Sequence, residues 1–404
     1  MRIKELEKDK ALINSIKEVK LRIDEGSYIK GEDLEFDFKA SLEEVWGELN
    51  HLDEDDMTDF VKLNNFLIEE VTNLHQRENN LVNKKLMKTN IDIKMINNRL
   101  EDSKRAFDIY AFNDQMSEYF LIGDIHSDLI SVDRILEKTD FFEKMVKDKG
   151  LKLIFIGDYV DRGASHLKLL QGILTLKYLF PEHIFLQKGN HDLGTYTDGV
   201  VKMGVKKPEK DSEDDWFLLY LYNLTKANTT FPDNMIYSYL KFFNSLAIAS
   251  FISVKETTLL VAHAGIPRPK GKEGNLFDHI ESLSDLTNET IKDHIDRSIV
   301  ENIIWSDPTD VNEDLKEERA RFKFTQAQFE EFKDLLGFDY FIRGHQVETQ
   351  GYRKFFKERL LTIFSSGRIL KDGEDINTDT AYSKVNPHIA KFVDGEIILV
   401  ALND

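Results

Sequence analysis

Cysteine is absent from all 404 residues of the chain. Disulfides, zinc–thiolate centres and thiol chemistry are therefore excluded, and the absence fits a reducing compartment. No apolar run reaches the roughly 20 residues that a membrane-spanning helix needs. The first ten residues, Met1 to Lys10, are charged and lack the apolar centre of a secretory leader. We expect a soluble, cytoplasmic protein, although export without such a leader leaves no mark of this kind. A long Lys/Arg block is also missing, and the net charge is −19. Bulk acidity argues against a nucleic-acid partner. It leaves room for a local basic pocket that takes one phosphate.

Hydrophobic residues make up 41% of the chain, enough for one large domain with an appendage. Residues 1 to 115 have a helical texture. Between Asp59 and Leu74, the apolar residues Phe60, Val61, Leu63, Phe66, Leu67, Ile68, Val71 and Leu74 form a wide helical stripe. Ser41 with Glu44 resembles a capping box opening a helix through Leu49. Asp53 to Asp56 suits the turn before the next helix. This region carries no catalytic constellation. It reads as a helical extension packed beside the main domain, the alternative being a segment that docks a protein partner or inhibits the site.

From residue 116 to 404 the texture is α/β. Strands are predicted over 119–122, 151–156, 183–186, 257–262, 339–342, 360–364 and 396–401, with helices over 130–147 and 165–178. This alternation predicts a layered α/β domain with mixed sheets. The stretches 205–215 and 267–274 read as surface excursions.

Five short blocks follow the predicted strands: Gly123-Asp124-Ile125-His126, Gly157-Asp158-Tyr159-Val160-Asp161-Arg162-Gly163, Gly189-Asn190-His191-Asp192, Ala262-His263-Ala264-Gly265 and Arg343-Gly344-His345. One Gly-Asp at a strand end is ordinarily a turn, and one His ordinarily a core or surface residue. Five blocks of these types in this order read instead as a site for two divalent cations. Asp124 and His126 can clasp one metal. Asp158 can bridge two, about 3.5–4 Å apart. Asn190, His263 and His345 then serve the second as neutral ligands, which preserves Lewis acidity. Arg162 offers a planar fork to a phosphate oxygen. His191 can protonate a leaving alkoxide if a carboxylate holds its ring, and Asp161 is the candidate holder. His51, His75, His183, His279 and His294 lack such surroundings and read as ordinary.

These blocks resemble those of the calcineurin-like metallophosphoesterase superfamily, and within it the phosphoprotein phosphatases of the PPP type. The Gly157–Gly163 string and Gly189-Asn190-His191 carry the resemblance. So do Trp305-Ser306-Asp307-Pro308, Arg343-Gly344-His345-Gln346 and Phe364-Ser365. It covers about 116 to 370. The resemblance implies a sandwich of two mixed β-sheets flanked by helices. It implies one metal on Asp124, His126 and Asp158, and another on Asp158, Asn190, His263 and His345. His191 would be the general acid paired with Asp161, with Arg162 and Asn190 on the substrate phosphate. A second phosphate-binding arginine is implied before a Phe-x-Phe, and both Arg319 and Arg321 precede Phe322-Lys323-Phe324.

The chain departs from the pattern at Ser127, Asp192 and Ala264, and in a longer segment between His191 and His263. Ser365-Ser366-Gly367-Arg368 replaces a Ser-Ala-Pro-Asn-Tyr loop, which takes away a tyrosine at the active-site rim. These differences suggest a divergent, bacterial-type member with altered grooves, which weakens any transfer of toxin sensitivity or regulatory-subunit binding. The expected activity is hydrolysis of phosphoprotein or phosphopeptide monoesters (Ser/Thr or Tyr) by direct attack of a metal-bridging hydroxide. Mn²⁺ is the expected metal, with Fe or Zn²⁺ as alternatives. A dinucleoside polyphosphate hydrolase and an inactive scaffold are the rival readings.

Overall fold

The structure, a computed structural model, describes residues 2–45, 53–86, 109–112, 114–147, 150–163, 165–267, 296–311 and 321–403. Three helices open the chain: Arg2–Asp24, Gly31–Glu43 and Glu54–Leu86. The third begins where the carboxylate cluster predicts, with Asp53 Oδ1 accepting the Asp56 N–H at 2.8 Å. Its buried residues Phe60, Leu63, Leu67 and Val71 recur every three or four positions, one stripe on one face. Each such side chain contributes about 1.5–3 kcal/mol relative to exposure. Ser41 does not open a helix. It lies in the last turn of Gly31–Glu43, its hydroxyl donating to the Phe38 carbonyl at 2.8 Å. The helix had already started at Gly31, because Leu34 and Phe38 extend its buried face N-terminally. The remainder of the expected helix through Leu49 lies outside the described residues.

The strands are, in chain order, β1 (Ile109–Phe112), β2 (Glu118–Ile122), β3 (Leu151–Phe155), β4 (Ile184–Leu186), β5 (Gly194–Thr197), β6 (Val200–Met203), β7 (Ala249–Val254), β8 (Thr257–Ala262), β9 (Asp307–Pro308), β10 (Lys323–Phe324), β11 (Tyr340–Arg343), β12 (Tyr352–Phe355), β13 (Leu360–Ile363), β14 (Leu370–Lys371), β15 (Glu374–Asp375), β16 (His388–Val393) and β17 (Glu396–Ala401). Two mixed sheets dominate, in the orders β1-β7-β8-β11-β13-β12 and β17-β16-β2-β3-β4. In the first, β8, β11 and β13 run parallel; in the second, β2, β3 and β4 do.

Side chains alternate across the second sheet with the period of two that a strand imposes. Tyr119, Leu121, Ile154 and Phe185 face the core shared with the first sheet. Phe120, Ile122, Leu153, Phe155, Ile184 and Leu186 face a helical core. That helical core includes the N-terminal helices. Helix Glu54–Leu86 packs on helices His166–Leu179 and Asn234–Asn244 and on β1, while Gly31–Glu43 packs on Phe141–Lys147.

The N-terminal region is not purely helical: β1 pairs in parallel with β7, so the first sheet starts before residue 116. A polar knot ties the same region down. The buried Lys177 ammonium donates to the carbonyls of Ile184 at 2.7 Å and Pro181 at 3.1 Å, and to the Glu78 carboxylate. Glu78 also accepts the Tyr110 hydroxyl of β1 at 2.9 Å. The helix expected over 130–147 is two, Leu129–Lys138 and Phe141–Lys147. Thr139 bonds back to the Ile135 carbonyl at 2.8 Å and Asp140 takes a left-handed φ of 50°, which stops the first helix. Among the described residues, no helix is long and apolar enough to cross a membrane.

Candidate active site

The five blocks sit at or just past the C-terminal ends of β2, β3, β4, β8 and β11. These are neighbouring strands within each sheet, so their tips converge. Parallel bridges Asp124↔Phe364 and Gln187↔Ala247 join the sheets at this end.

The backbone is bent tightly to present the side chains. His126, Ser127, Asp158, Asp161, Arg162 and His345 all have φ between 46° and 72°. Left-handed backbone on non-glycine residues is strained and clusters at functional sites. The turn is held by bonds across loops: the N–H groups of Ile125 and His126 donate to the Asp158 carbonyl at 3.1 and 2.9 Å. Asp192 clamps two loops at once, Oδ2 accepting from Asp158 N and Gly189 N at 2.8 Å each, Oδ1 from Tyr159 N at 3.0 Å. A Cβ at Gly189 would run into the Asp158 carboxylate and amide, so this close approach requires glycine.

All six expected ligand side chains come together. Nε2 of His126 lies 3.7 Å from carboxylate oxygens of both Asp124 and Asp158. Nε2 of His263 is 3.3 Å from Asp158 Oδ2 and 2.9 Å from Asn190 Oδ1. Nδ1 of His345 is 2.7 Å from Asn190 Oδ1 and 3.2 Å from His263 Nε2. Two sets, His126–Asp158–His191 and Asp158–His263–His345, each offer ligand atoms within 4.8 Å of one another. Asp158 belongs to both, as a bridging carboxylate must.

Ring orientation agrees with ligation. Nδ1 of His126 is spent on the Val160 carbonyl at 2.9 Å and Nδ1 of His263 on the Ile156 carbonyl at 3.1 Å. Both Nε2 atoms are thereby aimed into the cluster, which is how a backbone acceptor fixes a ligating tautomer.

The electrostatics call for cations. Burial, then Asp158, pushes the Asp124 carboxyl up to about 6, and its Oδ2 is buried without a hydrogen-bond partner. Burial opposes ionisation of Asp158 too, but His263 and His191 hold it well below the usual carboxylate range. Burial, then Arg162, drives the His126 ring well down; burial, then His263, does the same to His345, which keeps both neutral as ligands must be. His263 goes the other way: burial opposes its charge, but Asp158 raises it above the ordinary imidazole range. Buried carboxylates, imidazoles and an amide oxygen are a donor set that fits two borderline divalent cations.

Beside this cluster, Nδ1 of His191 lies 2.7 Å from Asp161 Oδ2. Its Nε2 takes a hydrogen bond from Arg162 Nη2 at 3.1 Å. Both ring nitrogens of His191 are thus engaged. Nη1 of Arg162 donates to the Tyr382 hydroxyl at 3.1 Å. The ring of Tyr382 stacks on that of His126, centroids 5.5 Å apart. A tyrosine therefore stands at the rim despite the altered Ser365–Arg368 loop, brought in from farther down the chain.

Arg321 is half-exposed and tethered through Nε to Asp307 Oδ2 at 2.9 Å. Oδ1 of Asp307 accepts from the buried Arg343 at 3.1 Å and lies 3.7 Å from His345 Nε2. Asp307 thus links Arg321 to the second ligand set. Arg319 lies outside the described residues. His75 and His183 are ordinary, as expected, bonded to Ser245 Oγ and the Leu151 carbonyl at 2.8 Å each; His51, His279 and His294 lie outside the described residues.

Sequence reasoning missed the parts played by Asp192, Asp307 and Tyr382. Asp192 carried a signal, standing directly after Asn190-His191. Tyr382 carried none, being 220 residues from the arginine it meets.

Comparison with known proteins agrees with this geometry. A family profile described as Calcineurin-like phosphoesterase matches residues 119–348, more than half of the chain. A probable serine/threonine-protein phosphatase of Encephalitozoon cuniculi is 28% identical over 252 residues, covering 62% of this chain and 47% of that protein. A serine/threonine-protein phosphatase of Caenorhabditis elegans is 27% identical over 248 residues, covering 61% and 46%. The chain thus spans about half the length of these relatives. In fold, it is similar to a Saccharomyces cerevisiae protein serine/threonine phosphatase described as similar to human phosphatase PP5. The TM-score is 0.54, identity 16%, and coverage 87% of this chain and 90% of that one. The profile match and the convergent strand-end blocks together make the chain a member of the calcineurin-like phosphoesterase family.

Proposed function

We propose that the chain is a two-metal phosphomonoester hydrolase acting on phosphoproteins. The observation that carries this reading is the convergence of Asp124, His126, Asp158, Asn190, His263 and His345 beside a His191–Asp161 pair and Arg162. Two divalent cations, when bound to these residues, supply Lewis acidity and an activated water for in-line displacement at phosphorus.

The protein's own residues do the rest. Arg162 rests on His191 Nε2 and the Tyr382 hydroxyl. An incoming phosphate offers charge-assisted bonds that these neutral acceptors cannot match, so the guanidinium turns to the phosphate oxygens. That frees His191 Nε2 to take up a proton from solvent, with Asp161 stabilising the charged ring from Nδ1. As the P–O bond breaks, the Nε2 proton passes to the departing seryl or threonyl oxygen. Asn190 and Arg321 are assigned to the phosphate as well, with Asp307 orienting Arg321. No covalent phosphoenzyme is required.

The names of the relatives support phosphoprotein substrates. The packing of helix Glu54–Leu86 into the helical core favours a structural role for the N-terminal region over a detachable inhibitor. The catalytic unit therefore starts no later than β1. A panel of phosphoserine, phosphothreonine and phosphotyrosine peptides beside dinucleoside tetraphosphates, each assayed with Mn²⁺, tests the reading. We expect turnover of the peptides; turnover confined to the dinucleotides would transfer the chain to the rival substrate class.

A further inference from the structure

The long segment between His191 and His263 returns to the site through four consecutive residues, Asp214 to Phe217, and each meets a different functional group. The Asp214 carbonyl lies 3.0 Å from Nε2 of His166, whose Nδ1 is 2.6 Å from Ser127 Oγ, next in sequence to His126. The Asp215 carbonyl accepts the Arg162 N–H at 2.6 Å. Trp216 is 1% exposed, and its ring lies against His191 with centroids 5.7 Å and planes 32° apart. The Phe217 N–H donates to Asp161 Oδ1 at 2.8 Å.

We propose that Asp214–Phe217 is a positioning clamp for the proton-transfer pair, and that Trp216 is the positioning residue that sets the orientation of His191. The proposal rests on the hydrolase reading and adds residues to it. The bond from Nδ1 to Asp161 fixes one point of the imidazole, and once Arg162 leaves Nε2 for the phosphate that bond alone would let the ring swing. The Trp216 ring closes one side. The His126 ring, edge-on at 4.9 Å, closes another. Asp161 is itself held, because one oxygen serves His191 and the other the Phe217 N–H. Arg162 keeps its left-handed φ of 66° with its N–H tied to Asp215. Trp216 heads helix Phe217–Ala227 and donates its own N–H to the Glu213 carbonyl at 3.0 Å, so the ring is anchored from behind. It is buried, and the ring contact described for it in the site is with the His191 imidazole.

The test compares leaving groups. Metal-loaded wild type, Trp216→Ala and Trp216→Phe are assayed on a phosphoserine peptide and on p-nitrophenyl phosphate, with bound metal measured for each. A misplaced acid harms the alkyl ester, whose leaving oxygen needs a proton. It spares the aryl ester, which departs without one. For Trp216→Ala we expect kcat on the peptide to fall about 10- to 100-fold with KM within about two-fold, and kcat on the aryl ester to fall less than about three-fold. Trp216→Phe should restore most of the peptide rate. In a His191→Ala background, Trp216→Ala should cause no further loss on the peptide. Equal losses on both substrates, a loss that follows lost metal, or full additivity with His191→Ala would reduce Trp216 to scaffold and overturn the proposal. A wild type inert on both substrates would overturn the hydrolase reading, and the clamp with it.

Discussion

Changing Glu78 to Gln tests whether the N-terminal helices belong to the catalytic body. Lys177 is fully buried, and its three ammonium protons have three acceptors: the Ile184 carbonyl, the Pro181 carbonyl and Glu78. Glu78 brings negative charge to the ammonium, and it comes from helix Glu54–Leu86. Glutamine keeps the shape and an acceptor oxygen but removes the carboxylate charge from the buried ammonium. Removing one partner of a buried pair destabilises by about 3–5 kcal/mol. Against a total stability of about 5–15 kcal/mol, that is a large fraction. Among the bonds described the pair contacts none of the residues of the ligand cluster, so kcat should hold at temperatures where the variant is folded.

The assay is guanidinium unfolding followed by far-UV circular dichroism and by tryptophan fluorescence. We expect the midpoint to fall in both signals together. A Glu78→Gln/Lys177→Met double variant should recover most of the loss, because an apolar residue of similar volume often replaces a buried ion pair without penalty. A change under about 0.5 kcal/mol, the size of an ordinary surface substitution, would refute the argument. So would a shift confined to an early transition with the main one unmoved, since the helices would then be unfolding as a separate unit.

Three further outcomes follow from the site. His191→Ala should keep its metal and lose about 10²–10⁴-fold in kcat on an alkyl phosphate; an unchanged rate would remove His191 from proton transfer. Asp158→Asn should lower the occupancy of both metals by elemental analysis, and loss of one metal with the other at full occupancy would argue against bridging. Tyr382→Phe removes the hydroxyl that accepts from Arg162 while keeping the ring on His126. The donor is a charged guanidinium, and a hydrogen bond to a charged group contributes about 1.5–3 kcal/mol, so inhibition by inorganic phosphate should change about 10- to 100-fold, and an unaltered inhibition constant would show that Arg162 is held by other means.

Much of the metal cluster was legible because its chemistry is written locally. A ligand must stand at a strand tip, and a glycine must let the chain turn there, so apolar run, glycine and ligand fall within a few residues of each other. The predicted strands at β2, β3, β4, β8 and β11 lie within one or two residues of those observed. The elements that went unread depend on distant partners. β12 is a mostly polar edge strand whose pairing with β13 gives it its conformation. β7 follows helix Asn234–Asn244 after only four residues, and the run Leu246–Ala249 that leads into it is too short for periodicity to separate helix from strand. β1 is four residues that become a strand only by lying beside β7. In the site, Asp307 gains its part by meeting Arg343, 36 residues on, and Arg321. Trp216 reads as one more core aromatic until the fold sets it against His191.

The same contrast bears on how the site keeps its strained geometry. Each left-handed residue among His126, Ser127, Asp158, Asp161, Arg162 and His345 costs on the order of 1–3 kcal/mol. Such a cluster persists only if the surroundings over-determine it. Three kinds of restraint do so. Asp192 holds two loops through three N–H bonds. Gly189 leaves the space into which Asp158 turns. The strands beneath are pinned between two cores, one of them completed by the N-terminal helices. β2, β3 and β4 carry Asp124, Asp158 and Asn190 at their tips, while Phe120, Phe155 and Leu186 of the same strands are buried in the helical core with Leu67 and Val71. The helical extension, which carries none of the assigned catalytic groups, therefore helps to fix the separation of the carboxylates. A truncation that began at the resemblance, near residue 116, would remove both β1 and this backing.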